Sequence, residues 1–148
     1  MGQKISSTQK AYLAGFLDGD GSIYVQLKPN STYRYKFQIA PYIVFFQSLK
    51  DKTKFLKICS LIKLGYMRER NDGILEYIIG KTDNIKKLLA MISPYIILKK
   101  EQASLMIKIL KTKEKVKNKK DFTELMKLID RFRSLNYSKK RKNHIVTP

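Results

Sequence analysis

The chain has 148 residues, near the usual size of one domain, and 43% of them are hydrophobic, enough to bury a core and too many for a disordered polycation. It carries 31 Lys and Arg against 12 Asp and Glu, a formal charge of +19 that predicts a polyanionic partner. One cysteine (Cys59) and one histidine (His144) exclude an intramolecular disulfide framework and a multi-cysteine zinc site, and leave almost no material for a Ser-His-Asp triad.

Ser6 with Gln9 three residues on forms a capping box, so a helix is predicted from there to about Asp18, with Leu13, Phe16 and Leu17 on its core face and Gly19 and Gly21 ending it. Ile23 to Lys28 alternates as a strand, and Pro29-Asn30-Ser31 turns the chain. Tyr35 to Phe46 is a long β-rich run. Ile39, Ile43 and Phe45 fall on one face of it, and Gln38, Ala40, Tyr42 and Val44 on the other. Pro41 lacks a ladder donor, which predicts an edge position or a bulge there.

Lys54 to Leu64 reads as a helix stopped at Gly65. Tyr66 to Arg70 and Leu75 to Ile79 form a hairpin around Asn71-Asp72-Gly73. Asp83 is predicted to cap a helix that runs through Met91 and stops before Pro94. Lys100 to Leu110 is helical, and Asp121 with Glu124 is read as the cap of a last helix whose Leu125, Leu128, Ile129 and Phe132 form one apolar stripe. Helix, two strands, helix, two strands, then helices: the fold class is α+β with an antiparallel sheet, one domain over residues 1–148 with a basic tail from about 136. No segment is repeated.

Residues 1–98 hold 15 basic and 7 acidic side chains, and residues 99–148 hold 16 and 5, so the charge is not confined to a tail. The densest runs are Lys111 to Lys120 and Lys139 to Lys142, read either as solvated loops or as phosphate contacts. Lysines outnumber arginines 25 to 6, which favours attraction to the phosphate backbone over bidentate base reading. No apolar run approaches the roughly 18 residues of a membrane span, and the polar N-terminus lacks a signal peptide's apolar core. The expectation is a soluble, intracellular protein with no membrane partner.

The stretch from Tyr12 to Ile23, YLAGFLDGDGSI, carries the chemistry. Ala11, Gly15 and Gly19 are four apart and share one face of the first helix, so another helix can approach closely. Its mate is the same helix of a second subunit about a twofold axis, or else a helix of the same chain. Asp20 follows between Gly19 and Gly21. A carboxylate at a helix C-terminus faces the negative end of the dipole and unpaired carbonyls, which suits a hard divalent cation. Two such ends meeting at a dyad would bring two Asp20 carboxylates together with little else, the ligand set expected for magnesium beside substrate phosphates. An EF-hand starting at Asp18 fails on Ile23 and Pro29, and a dinucleotide fingerprint fails on Tyr24. A plain Asp-Gly turn ending the helix is the bland alternative.

LAGFLDGDG at Leu13 to Gly21, extended by Ser22-Ile23, resembles the motif of the LAGLIDADG homing endonucleases, and one copy marks the single-motif group that acts as homodimers. The resemblance spans about Ala11 to Lys142. It implies an αββαββα fold whose four-stranded, saddle-shaped sheet lies over the DNA major groove, and a dimer interface on the motif helix at Ala11, Tyr12, Ala14, Gly15 and Gly19. It implies hydrolysis of one phosphodiester per strand with Mg2+, for which Mn2+ or Ca2+ substitutes in binding. Asp20 would be the metal ligand, assisted by the Gly19 carbonyl. Gln47 matches the polar residue beside the attacking water. The first basic partner falls at Lys52 if one residue is inserted before Phe55-Leu56, and at Asp51 without a gap; the second falls at Lys99, with Lys100 adjacent.

The same resemblance places Tyr24, Gln26, Lys28, Asn30, Thr32, Tyr33, Gln38, Ala40, Val44, Arg68, Arg70, Glu76 and Ile78 at base-reading positions, and Ser138, Lys139, Arg141 and Lys142 in a phosphate-contacting loop. Alternation independently puts Tyr24, Gln26 and Lys28 on one face, and Arg68 with Arg70. Ala40, Tyr42 and Val44 make this face less polar than hydrogen-bonded readout requires. The expected partner is a long, partly palindromic duplex DNA site, cut in the service of intron mobility. The alternatives are a maturase that binds its host intron RNA, and a DNA-binding regulator without catalysis. The lysine-rich composition points to an organelle (chloroplast or mitochondrion) or a prokaryotic cytoplasm.

Overall fold

A computed structural model describes residues 4–136, in which five α-helices pack on a four-stranded antiparallel sheet. Ser6 caps the first helix as its spacing requires. Its side chain accepts from the Gln9 N–H at 3.1 Å, and the Gln9 amide accepts from the Ser6 N–H at 3.0 Å. This helix, α1, runs Ser7–Asp20, two residues beyond the expected end at Asp18. The last turn is closed by the Gly21 N–H, which donates to the Leu17 carbonyl, and the Asp18 carbonyl, otherwise an orphan, accepts from the Lys99 ammonium at 2.8 Å.

Gly21 ends the helix. A Cβ there would stand 2.5 Å from Leu17 Cδ1 and 2.9 Å from the Leu17 backbone, so only glycine lets β1 (Gly21–Pro29) leave the helix so abruptly. β2 is Phe37–Ser48, β3 Tyr66–Glu69 and β4 Ile74–Ile79, in the sheet order β1-β2-β4-β3. The hairpin turn between β3 and β4 is closed at Gly73, whose φ of +81° favours glycine. Pro41 lies opposite Val25 in an unbroken register, so there is no bulge. It sits outside the stretch Ile43–Ser48 that pairs with β4, so β2 is an edge at that point, as the missing donor demands.

The helical layer adds α2 (Lys52–Ile62), α3 (Thr82–Ile92), α4 (Lys100–Glu114) and α5 (Lys119–Leu135). Two caps differ from expectation. Asp83 lies inside the first turn of α3, favourable to the dipole, while the N-cap is Lys81 without a side-chain bond. Asn118, not Asp121, caps α5: its Oδ1 accepts from the Asp121 N–H at 2.8 Å, and Asp121 reaches back to the Lys117 N–H at 3.1 Å. The two side chains satisfy donors reciprocally, so an acid at the third helical position was readable as the cap itself.

Alternation decides the core. Ile23, Val25, Ile43, Phe45, Leu75 and Ile79 point at the helices and meet Leu13 and Leu17 of α1 and Leu125, Ile129 and Phe132 of α5. Each fully buried side chain of this kind contributes about 1.5–3 kcal/mol. Ala40, Val44 and Ile78 alternate onto the opposite face, outside this core cluster, and it is the face on which the predicted strand contacts with DNA fall.

Candidate active site and nucleic-acid interface

Asp20 is the last residue of α1 and stands exposed, one residue before the first strand. Without a cation its carboxylate would meet the negative end of the helix dipole. Among the described residues no three carboxylate, His or Cys side chains cluster as a metal site. Asp20 thus offers a lone carboxylate beside helix-terminal carbonyls, Gly19 included. That donor set fits a divalent cation that draws its remaining ligands from water, phosphate or a second copy of the chain.

Two residues upstream, Asp18 does what the sequence did not reveal. Its Oδ2 accepts from the backbone N–H groups of Ile97 at 2.8 Å and Leu98 at 3.0 Å, and its Oδ1 from that of Lys99 at 3.0 Å. Burial alone would raise its carboxyl. The three N–H donors and the Lys99 ammonium outweigh this and hold it below the ordinary aspartate value. The clamp brings Lys99 to the end of α1, and α4 begins at the next residue, Lys100.

The other predicted catalytic residues are placed less closely. Gln47 lies two residues beyond Phe45, which is paired with Gly21, so it reaches the same end of the sheet. Its Oε1 accepts from the Ser48 N–H at 2.8 Å, which leaves the amide N–H groups as its free donors. Lys52 opens α2 and is turned toward Glu69 of β3, with 3.7 Å between the charged atoms and both side chains about half exposed. Asp51 directly precedes it as the N-cap.

Register assembles the open face. Tyr24 is opposite Tyr42, Gln26 opposite Ala40, and Lys28 opposite Gln38. Val44 is opposite Ser22 and Ile78, and Glu76 is opposite Arg68 and Phe46. The Tyr24 and Tyr42 rings stack at 5.2 Å, and Lys28 donates to the Tyr42 hydroxyl at 3.3 Å. Burial, then the neighbouring Tyr42, Glu76 and Tyr66, pushes the Tyr24 hydroxyl up. Arg68 lies 3.5 Å from Glu76 Oε1, an atom with no hydrogen-bond partner. Arg70 pairs instead with Asp72 at 2.6 Å in the hairpin turn. Asn30, Thr32 and Tyr33 form the β1–β2 loop, where Asn30 Oδ1 accepts from the Thr32 N–H and hydroxyl and Tyr33 is exposed.

Three residues expected to touch DNA are covered within the chain itself: Ala40, Val44 and Ile78 are 8%, 1% and 6% exposed. Ser138, Lys139, Arg141 and Lys142 lie outside the described residues. On α1, Ala11, Tyr12, Gly15 and Gly19 are exposed, and a Cβ built on Gly15 or Gly19 meets nothing within 4 Å. Ala14 is different. It is fully buried in the chain's own core, because it lies on the face of α1 with Leu13 and Leu17.

A LAGLIDADG endonuclease model matches residues 13–110. The chain is 34% identical to the DNA endonuclease I-CreI of Chlamydomonas reinhardtii, over 96% of this chain and 87% of that protein. It is 35% identical to the DNA endonuclease I-CvuI of Chlorella vulgaris, over 88% and 81%. A crystal structure of I-CvuI with its DNA target and Ca superposes with a TM-score of 0.83 at 32% identity, covering 92% of this chain and 87% of that one. The archaeal intron-encoded homing endonuclease I-Vdi141I, complexed with DNA, shares the fold at a TM-score of 0.80 and 17% identity over 94% and 90% of the two chains. Sequence and fold agree, and this chain belongs to the LAGLIDADG endonuclease family.

Proposed function

We propose that the chain is a site-specific endonuclease of double-stranded DNA, acting as a homodimer with a divalent metal, magnesium by preference, held at Asp20 of each subunit. One juxtaposition carries the reading. Asp20 stands exposed where a helix with an open glycine face becomes the first strand of a sheet with an open polar and aromatic face. Pairing two chains along Ala11, Gly15 and Gly19 would bring two Asp20 carboxylates together and set two sheets end to end along one duplex.

A metal bound there supplies Lewis-acid polarisation of the scissile phosphate and stabilises the leaving oxygen. The chain's own residues do the rest. Asp20 and the Gly19 carbonyl would hold the cation. Lys99, fixed by Asp18, offsets phosphate charge, and Lys52 does so on release from its exposed ion pair with Glu69, which is cheap to break. The free amide donors of Gln47 orient an attacking water. Lys28, Gln26, Gln38 and Arg68 project from the open face toward base edges and phosphates. That I-CvuI, similar in sequence and fold, is seen in complex with DNA supports a DNA substrate.

The test is incubation with Mg2+ and a randomised duplex library. The expected result is double-strand cleavage at a recoverable site, abolished by a chelator and by Asp20→Asn while that variant still binds the site. Full cleavage by Asp20→Asn overturns the assignment.

A further inference from the structure

The loop between β1 and β2, residues 30–36, is held from the helical side of the molecule. The ring of Tyr35 stacks on that of Phe122 in α5, with centroids 4.7 Å apart and planes 19° from parallel. The Tyr35 hydroxyl is buried and has no hydrogen-bond partner among the described residues, so the ring contact and not the hydroxyl keeps the side chain there. The next residue, Lys36, has a φ of +69°, a left-handed backbone that a lysine adopts only where its surroundings impose it. The loop is closed on itself: the Asn30 N–H donates to the Lys36 carbonyl at 2.8 Å, and the Lys36 N–H to the Tyr33 carbonyl at 2.9 Å. A closed loop of this kind moves as a unit, and its ring contact with the helical layer is that of Tyr35.

The start of α5 places Phe122 for this contact. Asn118 caps the helix, which makes Phe122 its fourth residue. A side chain there commonly packs on an apolar residue just before the cap. That residue is Lys117, and the ring partner of Phe122 is Tyr35 instead. The preceding helix grips the strand behind the loop: the half-buried Lys113 of α4 donates to the Ile39 carbonyl of β2 at 3.4 Å. The position of the loop gives these contacts a consequence. β1 has nine residues and starts beside Asp20, so the loop stands about 27 Å from the proposed metal ligand. Along a duplex that is about eight base pairs, at about 3.4 Å each. Asn30, Thr32 and Tyr33 are thereby carried to the outer end of each half-site, while Phe122 stays packed against the core.

We propose that Phe122 is a positioning residue for target discrimination: through the Tyr35 ring it fixes the pose of the 30–36 loop, and with it the preference at the outermost base pairs of each half-site, without touching DNA. The inference rests on the endonuclease reading above and adds to it a residue on the helical side of the fold.

The test uses the whole chain, the site it prefers in a randomised duplex library, and single-base-pair variants of that site at outer and at central positions. In the native chain each outer mismatch should lower kcat/KM about fivefold or more, the usual effect of one wrong pair. Phe122→Ala should bring that ratio toward one through KM, with kcat on the preferred site and the ratios at central positions unchanged. A merely structural role would reduce the amount of folded enzyme and move no ratio. Tyr35→Phe and Phe122→Tyr keep both rings and should keep the outer ratio. If Phe122→Ala does not fold, Tyr35→Ala removes the same stack from the loop side and decides. Asn136→Ala loosens the other end of α5, where the Asn136 amide donates to the Ile23 carbonyl at 2.7 Å, and should leave the outer ratio at its native value. Outer ratios kept in both the Phe122 and Tyr35 alanine variants, lost equally at outer and central positions, or lost in Asn136→Ala as well, overturn the inference and leave the endonuclease reading intact. A native chain that cleaves no duplex fails that reading itself, and the inference with it.

Discussion

Asp18 and Lys99 hold each other twice across 81 positions of sequence: the Asp18 carboxylate accepts from the Lys99 backbone N–H at 3.0 Å, and the Lys99 ammonium donates to the Asp18 carbonyl at 2.8 Å. One bond fixes the start of α4, and the other closes the end of α1. Asp20, the proposed metal ligand, is two residues from this clasp.

Asp18→Asn should therefore destabilise the fold by about 1.5–3 kcal/mol at neutral pH, the range for hydrogen bonds to a charged group. The pH dependence follows from the lowered carboxyl. A depressed folded pKa gives stability that is present above the unfolded aspartate value and is lost as pH falls through the folded one. Denaturant titrations of the two proteins should differ at pH 7 and converge at acid pH below the ordinary aspartate value. A constant difference across that range would show that the charge is not what holds the 97–99 segment.

Lys99→Met removes both the cap on α1 and the proposed positive charge at the scissile phosphate. Stability should fall by about 0.3–1 kcal/mol, the usual worth of a cation at a helix C-terminus. Cleavage rate should fall much further than that predicts, with DNA affinity nearly unchanged. Lys99→Arg should restore stability more completely than rate. Equal losses of binding and rate would place Lys99 in the DNA-contact surface instead.

The glycines of α1 separate interface from fold. Gly15→Leu meets open space within the chain, so the subunit should fold normally, while sedimentation shows the dimer lost and cleavage lost with it. Gly21→Ala puts a Cβ into the Leu17 backbone and should cost about 1–3 kcal/mol of stability through overpacking. A stable, active dimer carrying Gly15→Leu would move the subunit contact to another surface.

The charge predicts steep salt dependence. If the dimer neutralises six or more phosphates, affinity should drop about 10³-fold or more between 50 and 200 mM salt. Lys28→Gln should shallow the log–log slope by about one for each phosphate that Lys28 neutralises in the native dimer, without changing which sequence is preferred. A flat response would assign the +19 charge to something other than DNA.

Much of this protein was legible one turn at a time. The Ser6 capping box, the Leu125–Phe132 stripe, the hairpin at Gly73 and the LAGFLDGDG run are patterns within about ten residues, where spacing alone fixes which side chains share a face. Pro41 announced its edge for the same reason, since a missing donor is a property of the residue. The tertiary structure decided what depends on distant partners. Asp18 was an unexplained acid until residues 97–99 were brought to it, and its carbonyl found a partner only in the Lys99 ammonium. Ala14 looked like its small neighbours, but the direction of the helix against the sheet turned it into the core and left Gly15 outside. Strand register put Val44 and Ile78 opposite one another, buried yet outside the main core, so apolar alternation did not by itself tell which side was core. Periodicity sets the faces of each element; only packing between elements decides what each face meets.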